Sequence, residues 1–111
     1  MKAKEKDITF TRGDTFNLSV TLKTNITDIT GIFFTVKEDE TKVISKKLDN
    51  GITFKDNVIL VTLKPVDTNE LQSDGNYIYD LQINYGLDDV LTPLKGNFIL
   101  DGDVTLPEDE V

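Results

Sequence analysis

Cysteine, histidine and tryptophan are all missing from the 111 residues. Without the first two there is no thiol nucleophile, no Ser-His-Asp triad, no thiolate or imidazole zinc site, and no side chain suited to proton transfer near neutral pH. Catalysis would fall to carboxylates, lysines or tyrosines. Without tryptophan the chain lacks the best platform for stacking on a sugar ring, which weakens glycosidase and carbohydrate-binding readings and leaves Tyr85, near a loop, as the aromatic for that role. Basic residues are also short: 12 against 20 acidic ones give a net charge of −8, which repels phosphate backbones and anionic lipid headgroups. No nucleic-acid or membrane partner is expected. No apolar stretch approaches the roughly 18 residues of a membrane helix, and the charged start Met1 to Asp7 has no apolar run behind it, so no secretory signal is read. Synthesis in a cytoplasm is the expectation.

What the sequence has is alternation. In Thr15 to Lys23, Phe16, Leu18, Val20 and Leu22 share one face and Thr15, Asn17, Ser19 and Thr21 the other, the pattern of a half-buried strand. Gly31 to Glu38 repeats it, with Ile32, Phe34 and Val36 inward. Val43 to Leu48 and Ile52 to Phe54 flank the turn Asp49-Asn50-Gly51, and Asn57 to Lys64 follows. The longest alternation is Gly75 to Tyr85, and a last strand runs from Val90 to about Leu100 with an extended exit through Val104. The segment Pro65 to Leu71 is different: it opens with a strand breaker and offers Asp67 or Thr68 as an N-cap, which predicts a single helical turn. The expected fold is all-β, an immunoglobulin-like Greek-key sandwich of seven to eight strands with one short helical turn before the Tyr-rich strand. At this length one core is expected, burying roughly two-thirds of the unfolded surface. One domain is read over 7–105, between a flexible charged leader, 1–6, and an acidic tail or linker stub, 106–111.

Three features carry candidate chemistry. Arg12-Gly13-Asp14 is the tripeptide that integrins bind, but it sits between two strands, where Gly13 supplies the positive φ of a tight connection, Asp14 bonds its own turn and Arg12 meets a nearby carboxylate. The turn reading is preferred to the integrin one. Calcium is the metal candidate, on Asp101 and Asp103; the ordinary alternative for acidic groups bracketed by strands, as for Glu38-Asp39-Glu40 and Asp88-Asp89, is a solvated turn. Gly75-Asn76-Tyr77-Ile78-Tyr79 resembles the immunoglobulin Gly-x-Tyr-x-Cys with the cysteine replaced by an aromatic. In that motif the first tyrosine makes a corner by bonding upstream backbone, which would tie Tyr77 to the region of Asp67 to Leu71. The acidic residue at 74 stands one position later than the immunoglobulin spacing. A catalytic tyrosine is the alternative use.

In order, "ITFTRGDTFNLSVTLK", "DITGIFFTVKEDE", "GITFKDNVILVTLKPVDTNEL", "GNYIYDLQINYG" and "LTPLKGNFILDGDVT" resemble the small immunoglobulin-like virion proteins of tailed bacteriophages and prophages, similar to the N-terminal domain of phage baseplate upper proteins. The carriers are Arg12-Gly13-Asp14; Leu63, Pro65, Asp67, Thr68 and Leu71; Gly75, Tyr77, Tyr79 and Asp80; and Gly96 with Asp103-Val104-Thr105. The resemblance implies a non-enzymatic structural module of the tail or baseplate, without catalytic residues or cofactor. It would bind other virion proteins, or copies of itself, in a symmetric assembly, and would reside in the virion after synthesis in the bacterial host cytoplasm. A baseplate upper protein continues past this domain, so the chain reads as a stand-alone small virion protein or as a cut piece of a longer one. Two alternatives remain: a module of a bacterial surface adhesin binding host protein or carbohydrate, and a carboxylate-based hydrolase, which needs two acids facing across a cleft. Lys42, Lys46 and Lys47 read as protection of a strand edge, and any β-strand addition is expected at the opposite edge, near Asp7 to Thr11.

Overall fold

Strands form wherever the alternation runs unbroken, and the computed structural model, which describes residues 3–73 and 75–102, places them close to the expected bounds. Among the described residues they are β1 (Lys4–Glu5), β2 (Ile8–Thr11), β3 (Phe16–Thr21), β4 (Ile29–Glu38), β5 (Thr41–Leu48), β6 (Gly51–Lys55), β7 (Val58–Leu63), β8 (Tyr77–Tyr85) and β9 (Asp89–Asp101), with one helical turn, α1 (Pro65–Thr68), before β8. The all-β class with a single helical turn is as expected. The extended exit at Val104, the tail 106–111 and Asp103 lie outside the described residues.

The pairing order is β1-β9-β8-β4-β5-β6-β7-β3, with β2 also on β9. A sandwich implies two sheets separated by a break in this path, and no such break is seen. At the β5–β6 corner Asp49 and Gly51 adopt φ of 69° and 96°, turning the chain so tightly that Lys47 and Asn50 exchange hydrogen bonds of 3.1 and 2.8 Å. Two residue pairs, Lys47 with Gly51 and Leu48 with Ile52, therefore bridge what would have been the gap. One mixed sheet results, and it curls on itself. Its inner faces share one core, with Leu18 of β3 and Ile59, Val61 and Leu63 of β7 in the same cluster as Ile32, Phe34 and Val36 of β4 and Tyr79, Leu81 and Ile83 of β8. The hairpin from β6 to β7 turns through Asp56 and Asn57, both at positive φ, as a two-residue type I′ connection requires.

Alternation gave no sign of the first strand. Lys4 and Glu5 of the leader pair in parallel with Leu94 and Lys95, and β2 continues in the same register, Ile8 with Phe98 through Thr11 with Asp101. Between them the ladder is replaced by other bonds. The Lys6 N–H reaches the Lys95 carbonyl at 2.9 Å, the Asn97 N–H reaches Asp7 Oδ1 at 3.0 Å, and the Tyr79 hydroxyl donates to the Lys6 carbonyl. A Cβ on Gly96 would stand 2.2 Å from that carbonyl, so glycine is what lets the backbone at Lys6 dip toward β8.

Two outcomes are expected from this junction. Gly96→Ala should displace the leader, destabilising the fold by about 1–3 kcal/mol in denaturant titration and exposing the Lys6 amide to exchange; wild-type values for both would contradict the close approach. The Tyr79 hydroxyl is pushed up from 10.0 to about 12, first by burial and then by the Asp7 carboxylate. Because its folded pKa is raised, its stabilising contribution is complete below pH 10.0 and fades as pH rises toward 12. Wild type should therefore lose stability more steeply than Tyr79→Phe over this alkaline range, and parallel losses would refute it.

Candidate functional site

Proline decides where the helical turn begins. Pro65 occupies the first helical position, where its missing N–H costs nothing, and Lys64 before it is extended at φ −101°, ψ 164°. The N-cap is therefore Lys64, not Asp67 or Thr68 as the sequence suggests. Asp67 works from inside the turn instead: its Oδ2 accepts the Lys64 N–H at 2.7 Å, and its Oδ1 accepts from Lys46 Nζ at 2.8 Å. Lys46, read from the sequence as edge protection, is thus a tether between β5 and α1.

Thr68, released from capping, is fully buried, and its Oγ1 accepts the Gly13 N–H at 2.8 Å. This bond brings the Arg12-Gly13-Asp14 turn onto the helical turn. Gly13 has φ 85°, the left-handed conformation expected of it, and the Asp14 N–H closes the turn on the Thr11 carbonyl at 3.1 Å. The Arg12 N–H bonds the Asp101 carbonyl at 2.9 Å, while its Nη1 donates to the carbonyls of Asn69 and Leu71, both at 3.3 Å. These carbonyls belong to the C-cap and to the residues just after the helical turn, so the guanidinium satisfies backbone acceptors where the chain leaves it. An integrin ligand needs arginine and aspartate projecting together from a tip; here Asp14 is exposed and Arg12 reaches back over the turn.

Tyr77 closes the other side. Its hydroxyl accepts the Gln72 N–H at 3.0 Å and donates to the Gln72 carbonyl at 3.1 Å, one residue beyond the region the motif pointed to. Gly75 is needed because a Cβ there would lie 2.6 Å from the Tyr77 ring. Below the knot the rings of Phe16, Phe10, Phe98 and Tyr77 pack in sequence, stacked at 4.6 Å and then edge-on at 5.5 and 6.4 Å. Leu71 is half-buried against the core.

The knot thus gathers Arg12, Gly13, Pro65, Asp67, Thr68, Leu71, Gly75 and Tyr77. Tyr79 points to the leader instead, and Asp80 lies on the sheet opposite Lys95, lining a shallow concavity of about 810 Å³ over β4, β5, β8 and β9. A second groove, about 450 Å³, runs beside β3. Asp101 is exposed at the end of β9, and among the described residues no three acidic side chains gather to hold a cation. Chemically the knot is a clasp: the Tyr77 hydroxyl is engaged at both its donor and acceptor by backbone, and that of Tyr79 stays protonated well above neutral pH. Gln72 and Lys6 were missed in the sequence, and Lys46 was given a different role there. The first two contribute backbone groups that any residue type could supply, and Lys46 meets Asp67 only through the curl of the sheet.

No protein-family model matches the chain, and no curated protein matches it.

If the clasp holds the two turns together, Thr68→Val, which keeps shape but leaves the Gly13 N–H without its acceptor, should cost about 1–3 kcal/mol. Thr68→Ser should cost less than Thr68→Val, and Gly13→Ala about 1 kcal/mol or more. Denaturant midpoints check this; Thr68→Val matching wild type would show that the bond carries no stability.

Proposed function

We propose that the chain is a non-enzymatic, immunoglobulin-like protein-interaction module of a bacteriophage or prophage virion, in the tail or baseplate. The observation that carries the reading is the knot. Four of the segments that resemble phage virion modules, distant in sequence, supply its parts: the Arg-Gly-Asp turn, the Pro65–Thr68 helical turn, the Gly75–Tyr77 corner and the end of β9. Such dispersed residues meeting in one place is what a shared fold signature requires. The strand order supports the immunoglobulin part. With β3, β4, β5, β6, β7, β8 and β9 taken as B, C, C′, D, E, F and G, the neighbours β3-β7-β6 and β5-β4-β8-β9 follow the two sheets of a variable-type domain, and β3 crosses to a strand it does not pair with, as in a Greek key.

The knot's chemistry favours a scaffold over a catalyst, since its hydroxyls are engaged by the backbone and its arginine caps carbonyls. The test is particle content. Tailed particles purified from the source strain should contain the chain at a fixed ratio to the tail-tube protein, and its absence from intact particles would refute the virion reading.

A further inference from the structure

An exposed strand edge is normally blocked by charge, proline, a bulge or shortness, because its unpaired N–H and C=O groups invite another strand. The edge of β5 over Thr41 to Lys46 follows that rule, with the exposed Lys42 on it and the Lys46 side chain crossing it to Asp67. β3 does not. Over Phe16 to Thr21 it has no charge, proline or glycine, it pairs regularly with β7 through six residue pairs, and among the described residues nothing pairs with its other side. Beside that open side runs the 450 Å³ groove. Its floor is apolar, with Leu18, Leu22 and Leu94 buried and Ile26 and Leu91 half-buried. Its rim carries three exposed cations, Lys4, Lys6 and Lys23.

We propose that the β3 edge and its groove form a docking site for one extended strand of a partner protein, apolar on alternate residues and acidic where it passes the three lysines. Main-chain bonds to β3 would give the affinity and the groove the selectivity for alternate side chains. Charge selects the occupant. A lysine rim on a chain of net charge −8 is a local reversal of sign, and it favours an acidic segment. In a second copy docked edge to edge about a two-fold axis, like rim would meet like rim. The sequence places strand addition near Asp7 to Thr11; β3 offers the longer edge, since β2 has four residues and the leader before it is fastened by Tyr79 and Asn97.

The inference deepens the protein-interaction reading and rests on it for a physiological partner, but it is tested on the isolated chain. The probe is an acetylated peptide alternating valine and threonine and ending in a run of aspartates, with a lysine-ended counterpart as control. The aspartate peptide should slow amide exchange within Phe16–Thr21 and leave the β5 edge unchanged. It should bind about tenfold more weakly to Lys4→Glu/Lys23→Glu, a surface change whose unaltered melting temperature shows that the fold is kept. Equal binding of both peptides would overturn the charge selection. Unchanged β3 exchange, or β3 protection that grows with protein concentration in the absence of peptide, would overturn the site or its occupant. None of these results touches the virion reading, which particle content decides separately.

Discussion

One hydrogen bond, from the Gly13 N–H to the buried Thr68 hydroxyl, joins two of the connections by which the chain leaves its sheet. The path of paired strands ends in β1 and β2 on one side and in β3 on the other, and the Arg12–Thr15 turn connects those two ends. The helical turn lies on a second connection, from β7 to β8. Where these connections touch, the curl is fastened, and the fastening depends on residues with few substitutes: a glycine at φ 85°, a threonine with no exposed surface, and an arginine long enough to reach two carbonyls. Aromatic packing beneath and the Tyr77 corner beside it stiffen the same region.

How much of this was legible follows from what each element depends on. β3, β4, β7, β8 and β9 could be read because one of their faces is buried, and burial writes a period of two into the side chains. β1 could not, because it is two residues long and is held by backbone bonds to β9 and by room at Gly96, neither of which leaves an apolar pattern. The helical turn was legible but misplaced: Asp67 and Thr68 are both good caps, and proline's preference for the first helical position overrode them. The joining of two expected sheets into one path was hidden in the φ angles of Asp49 and Gly51. Cross-chain partners such as Lys46 for Asp67 and Thr68 for Gly13 lie 21 and 55 residues apart, beyond any local pattern.

Arg-Gly-Asp shows how a short motif changes meaning once its neighbours are placed. Its glycine and arginine are specified by contacts to α1 and the residues after it, while Asp14 contributes its backbone N–H to the turn. The contrast between the two sheet edges has a similar logic. Lys42 and the tether from Lys46 to Asp67 cover the edge of β5, whereas β3 is bare beside an apolar groove, an asymmetry that folding alone does not require.

The Gly13 amide, bonded to Thr68, reports on the clasp directly. Native-state hydrogen exchange of that single N–H should require the same free energy as the core amides of β8, because opening it means separating the two connections. Exchange at the rate of an exposed loop amide, with β8 still protected, would show that the turn merely rests on Thr68 and that the fold closes without it.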